Sequence, residues 1–335
     1  MNLLVTTIGL LTRLAACIVH LLRVYFSCNW RKKNSKAASA FIFAAATELA
    51  PGALARSNTI TVSGLNTAAP IAITGGQYRI GAEGEFTSAA GTVSNGEEVT
   101  LQLTASASFA TTAQATLTIG DVSATFDVTT VAADTAPSEF DLGAAVTGVE
   151  RNASVDSNTI TVAGLNTQTT VSITGGQYRL NSDAFTAEQG TAVNGDTLTV
   201  RVIAPSAFLT ATTATLNVGG VMDTFSVTTE AEDLTPAAFS FTAANDVAPG
   251  TQTSSNMQVI SGINTSVSIS VSGGEYRIVD VSEFGTAAGT IVDGQAVQVR
   301  GVSSTEFGAI QEVVLTVGTV AQTFSIATES DTTNP

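Results

Sequence analysis

Few side chains in this chain could do chemistry, and most of those lie outside its main body. The one histidine, His20, and both cysteines, Cys17 and Cys28, fall in the first 30 residues. Histidine-based nucleophilic triads and His- or Cys-containing metal sites therefore have no raw material in residues 37–335. The Gly-Gly pairs at 75–76, 175–176 and 273–274 lack the lysine and the following helix that a phosphate loop needs. Acids remain. Asp134 and Glu139 flank one seam, and Glu230, Glu232 and Asp233 lie at the next. Calcium takes about six to eight oxygens, and two adjoining domains can supply them, so these five acids are the candidate metal ligands. No other cofactor is expected. Without an ion the same acids repel one another and extend a hinge. Paired carboxylates can cleave glycosides, but a catalytic pair would not recur three times over with differing acids, so the chain reads as a non-enzyme.

The elements that would position these residues are repeated. GGQYRI at 75–80 returns as GGQYRL at 175–180 and GGEYRI at 273–278. SNTITVSGLN at 57–66 returns as SNTITVAGLN at 157–166 and, more loosely, as SNMQVISGIN at 255–264. Pro137, Pro236 and Pro335 mark a period of domain size, too long for a solenoid turn. The expected organisation is an N-terminal hydrophobic and basic segment at 1–36, followed by repeats at 37–137, 138–236 and 237–335.

Within each repeat the hydrophobic period is two. Ile60 and Val62 alternate with threonines, as do Val99, Leu101 and Leu103, then Leu117 and Ile119, then Phe126 and Val128. Such alternation buries one face of a strand and wets the other, and threonine favours the extended backbone. Asn95-Gly96, Asn194-Gly195 and Asp293-Gly294 supply hairpin turns at equivalent places. About seven short strands in roughly 100 residues predict an all-β chain of three tandem antiparallel Ig-like or fibronectin-III-like β-sandwiches. Their cores are aliphatic, because the repeats hold no cysteine and Trp30 lies outside them. Phe126, Phe225 and Phe324 are expected at one buried site. Tyr78, Tyr178 and Tyr276 are expected in the core or at a corner. Arg79, Arg179 and Arg277 are expected to point outward and pair with surface acids.

Charge is divided. Residues 1–36 hold Arg13, Arg23, Arg31, Lys32, Lys33 and Lys36 and no acid; the rest holds seven arginines, no lysine and 28 acids, a balance of −21. That excludes nucleic acid as the partner of the repeats, since phosphate binding needs a basic footprint. It suits solubility in salty surroundings. Residues 1–30 are apolar but broken by Arg13, His20 and Arg23, too short in each run for a comfortable membrane span; any membrane association would run through them. LAAC at 14–17 resembles a lipobox without its polar tether. RKKNSK, AASAFIFAAA and ALA at 53–55 together read as a second signal-like segment. Against that, AFIFAAATELAPGALARSN at 40–58 matches AFSFTAANDVAPGTQTSSN at 238–256 at a constant offset of 198, which makes 40–58 a strand and loop of repeat one.

SNTITVSGLNTAAPIAITGGQYRI, FTSAAGTVSNGEEVTL and ATLTIGDVSATFDVTT together resemble the tandem Ig-like repeats of large surface and secreted adhesin-like proteins of marine and other gram-negative bacteria. The resemblance covers roughly residues 38–335. It implies a non-enzymatic extracellular or cell-surface spacer, stalk or adhesive module, whose partners are a surface ligand or further repeats of a longer array. A carbohydrate- or polymer-binding module array is the alternative, and it needs exposed aromatics on one face. A non-functional fragment of a larger repeat protein is the third reading, since ESDTTNP at 329–335 matches the inter-repeat linker EAEDLTP at 230–236.

Overall fold

A computed structural model of the chain describes residues 18–21 and 36–331. The anchor and signal-like readings of 1–36 lie almost wholly outside these residues, where Ile18–Leu21 forms one helical turn. Among the described residues no helix is long and apolar enough to cross a membrane. The chain divides into two compact units: Met1–Thr135 with Gly164–Thr167, and Ala136–Ala163 with Gln168–Pro335.

In the first unit repeat 1 is built from β1 (Ala46–Leu49), β2 (Leu54–Arg56), β3 (Ile60–Thr61), β4 (Ala69–Thr74), β5 (Gln77–Ile80), β6 (Gly91–Val93), β7 (Glu98–Thr104), β8 (Thr112–Ile119) and β9 (Val122–Thr130). One sheet has the order β1-β9-β8-β4-β6, with β1 parallel to β9 and every other pair antiparallel. The other is centred on β7, which pairs with β2 and β3 on one side and β5 on the other. In the second unit both sheets recur in each repeat, with Val146–Val149 and Ala244–Val247 as the parallel first strands. The result is nearly all β, with six sheets in three tandem Ig-like sandwiches.

The alternation read from the sequence is the packing. Ala69, Ile71 and Ile73 of β4, Ala115, Leu117 and Ile119 of β8, and Phe126 and Val128 of β9 face Val99, Leu101 and Leu103 of β7 across the sandwich. Phe126, Phe225 and Phe324 are each at most 2% exposed, and burying such a side chain stabilises by ~1.5–3 kcal/mol. Phe41 and Phe43 also pack against the first core, as the 198-residue offset predicts. They do so from an irregular segment, because Asn58 replaces the strand ladder there: the Ala44 amide donates to its Oδ1 at 2.8 Å and its Nδ2 donates to the Ile42 carbonyl at 3.3 Å. Asn256 Oδ1 accepts from the Thr242 amide in the same way, at 2.8 Å.

The Gly-Gly pair is a close crossing of backbones. Gly75, Gly175 and Gly273 have φ of 85°, 77° and 75°, and a Cβ there would stand 2.3, 2.2 and 2.2 Å from the carbonyl oxygen of Gln114, Thr213 or Glu312. Only glycine fits both demands.

Candidate functional site

The tyrosine of each repeat builds a platform on the outer face of the smaller sheet. Tyr78 is buried, and its main chain exchanges hydrogen bonds with Thr87 at 2.9 and 2.8 Å, while its hydroxyl donates to the Ala89 carbonyl at 2.9 Å. Tyr178 is tied to Thr186 and Glu188 in the same way, and Tyr276 to Gly285 and Ala287. Burial pushes all three phenol pKa values up, so the hydroxyls remain donors. The pinned loop carries a phenylalanine, Phe86, Phe185 or Phe284, and sets it on the sheet.

Two guanidinium groups lie over each of these rings. Arg56 and Arg79 stand 5.3 and 5.2 Å from the centre of Phe86. Arg179 and Arg201 stand 5.2 and 3.8 Å from Phe185, and Arg277 and Arg300 stand 4.9 and 4.2 Å from Phe284. Each contact is worth ~0.5–1 kcal/mol at an exposed site. The seventh arginine of the repeats, Arg151, stacks on Phe208 at 3.9 Å. Every positive charge of the three repeats therefore rests on a phenylalanine.

This corrects the expectation that Arg79, Arg179 and Arg277 pair with surface acids. The ion pairs among the described residues belong to Arg201 with Asp156 at 2.7 Å and Arg300 with Glu275 at 2.6 Å. Arg79 donates to the Ala82 carbonyl instead, and Arg277 to Gln298. The reason is the pinned loop, which covers these arginines with an aromatic ring. The hydrogen bond from Arg201 holds the Asp156 carboxyl below its usual pKa against the opposing effect of burial, and the charges of Arg201 and Arg179 add to the lowering. Sequence reasoning missed the phenylalanine platform, although Phe86, Phe185 and Phe284 recur 99 residues apart.

Cross-strand register explains how the pairs change partners, because residues directly opposite share a face of the sheet. In repeat 1 the row across the sheet is Arg56, Gln102, Gln77; in repeat 2 it is Asp156, Arg201, Gln177; in repeat 3 it is Ser254, Arg300, Glu275. One arginine of the row meets the ring each time. Repeats 2 and 3 place a carboxylate in the same row, and repeat 1 places two glutamines there.

The seam acids expected as calcium ligands lie along the linkers. Asp134, Glu139, Glu232 and Asp233 are exposed and Glu230 half-buried, and no group of three or more His, Cys, Asp or Glu among the described residues is arranged to hold a metal ion. Nor is the linker between repeats 2 and 3 left as an open hinge. The Asp233 amide donates to Asn264 Oδ1 at 2.7 Å, Asn264 Nδ2 donates to the Ala231 carbonyl at 2.8 Å, and Arg151 donates to the Asn264 carbonyl at 2.9 Å. The Asp233 carboxylate turns back to accept from the Thr235 amide at 2.9 Å. In the first unit Asn166 makes the matching bonds to Asp134 and Ala132 at 2.8 and 2.9 Å. These asparagines close the repeated string ending GLN or GIN, which is the signal that marks them. Replacing Asn264 with Ala is expected to remove the hydrogen-exchange protection of the Asp233 amide while leaving that of the Phe324 amide in the core unchanged; retained protection at Asp233 would show that the clamp is not what holds the linker.

No family model matches the chain, and no curated protein matches it. Solved structures do. The I9–I11 tandem from titin is 10% identical over 88% of this chain and 99% of that one, with a TM-score of 0.24. The extracellular cadherin domains 1–5 of protocadherin gamma B2 are 11% identical over 87% and 60%, at 0.32. Invasin, a bacterial integrin-binding protein, is 12% identical over 84% and 58%, at 0.26. Identities and scores this low carry no argument about function.

Proposed function

We propose that this chain is a non-enzymatic, extracellular or surface-displayed tandem spacer that carries tension between its ends. The observation that carries this reading is the strand pairing at the two ends of every repeat. The first and last strands are parallel neighbours: Ala46 and Leu49 pair with Val128 and Thr130, Val146 and Val149 with Val227 and Thr229, and Ala244 and Val247 with Ile326 and Thr328. A further bond closes each pair, from Val131 to Leu49, Glu230 to Val149 and Glu329 to Val247. Opposed forces on the ends of a repeat load these bonds together in shear, so none can open before its neighbours. The Asn264 clamp supports the reading, since it ties a linker to the following repeat. The lysine-free acidic repeats keep such a strand soluble and unassociated where salt is high.

Pulling the full chain by its two ends is the test. Three separate unfolding events are expected, each releasing about 85 residues from first to last strand, or ~300 Å of extended chain. Smooth extension at low force without discrete events would contradict the proposal.

A further inference from the structure

Repeat 1 departs from its sisters in its electrostatics. Its two guanidinium groups both contact Phe86 and neither has a carboxylate partner, whereas Arg201 and Arg300 are each neutralised in their own row. Glu83 and Glu85 of the Phe86 loop form no ion pair with them. Arg56 is exposed; Arg79 keeps its Nε buried without a partner, as Arg179 does in repeat 2. Two unneutralised cations on one ring cost Coulomb energy that the other repeats avoid with Asp156 and Glu275.

On this face lies a groove of about 390 Å³, whose lining includes Leu54, Gly75, Gly76, Gln77, Ser88 and Gln102. Gln102 stands directly opposite both Arg56 and Gln77 in the sheet, so the groove adjoins Arg56. Gln102 Nε2 donates to Gln77 Oε1 at 3.4 Å. That leaves the Gln102 oxygen, the Gln77 amide hydrogens and the Ser88 hydroxyl to meet donors and acceptors of a ligand. The glycine pair keeps the floor low. Planar guanidinium forks match oxyanions such as carboxylate and sulfate, and amides over a glycine floor match the hydroxyls of a sugar.

We infer that the outer face of repeat 1 is a binding site for an anionic saccharide, with Arg56 holding its carboxylate or sulfate group and Gln77, Gln102 and Ser88 holding the adjoining ring hydroxyls. This goes beyond the spacer reading: a chain that only carries tension has no use for the site. The rest of the array repels polyanions, so retention of one must be local.

The test is affinity electrophoresis of the full-length protein through gels containing dextran sulfate, polygalacturonate, neutral dextran or duplex DNA. Retardation by dextran sulfate or polygalacturonate is expected, and which of the two acts separates sulfate from carboxylate; neutral dextran should have no effect. R56Q changes an exposed side chain and should weaken binding about tenfold or more while moving the thermal midpoint by only a few degrees, and R201Q, at the neutralised site of repeat 2, should leave binding intact. No retardation by either acidic polysaccharide would overturn the inference. So would retardation unchanged in R56Q, which would place binding on the basic residues before position 37. Equal retention by DNA would refute the saccharide assignment, and equal loss in R201Q would refute the assignment to repeat 1.

Discussion

Phe225→Ala is expected to destabilise repeat 2 by ~3–5 kcal/mol, the range for deleting a buried aromatic side chain. Phe225 is 2% exposed and lies opposite Ala214, which is fully buried, so no larger side chain across the strand pair is placed to fill the void. A domain of this size is stable by only ~5–15 kcal/mol, and each kilocalorie moves the midpoint of a 60–100-residue domain by roughly 4–8 °C. Calorimetry should therefore show one component of the three displaced downward by more than about 10 °C. A change of a degree or less would mean that Phe225 is not part of a packed core.

Gly175→Ala is expected to cost nearly as much, through the backbone. The new Cβ would lie 2.2 Å from the Thr213 carbonyl oxygen at a φ of 77°. Left-handed backbone alone costs an L-residue ~1–2 kcal/mol. Relieving the contact means parting the crossing segments, which takes the total to about 3 kcal/mol or more. Gly195→Ala is the control. It shares the positive φ, at 95°, but has nothing within 4 Å of its Cβ, so only the conformational cost should appear in a denaturant midpoint. Equal costs for the two variants would refute the close-crossing explanation of the Gly-Gly pair.

Much of the sandwich was legible because burial in a half-wet strand shows as alternation. Leu117, Ile119, Phe126 and Val128 announced their strands and their inward faces. Phe41 and Phe43 announced packing but not its form, since the hydrogen bonds that replace a ladder come from Asn58, some 15 residues on. The platform was harder to read. Phe86 sits in a loop between Glu85 and Thr87 with no periodicity around it, and what places it is a hydroxyl on Tyr78 reaching the Ala89 carbonyl. The partners of the arginines were unreadable without register: Arg56 and Gln102 are 46 positions apart in sequence and directly opposite in the sheet. The linker clamp was unreadable too: Asn264 is a neutral side chain, and its two-sided amide bonds both a backbone N–H and a carbonyl.

We propose that each repeat resists force because its first and last strands are parallel and shear together. Pulling the full chain by its two termini loads repeat 1 in that way. Pulling instead between the N-terminus and a handle at Asp121, the exposed turn between β8 and β9, loads the starts of β1 and β9 and peels the pair open one bond at a time. Repeat 1 is expected to unfold at a severalfold lower force in the second geometry. Equal forces in the two geometries would contradict it.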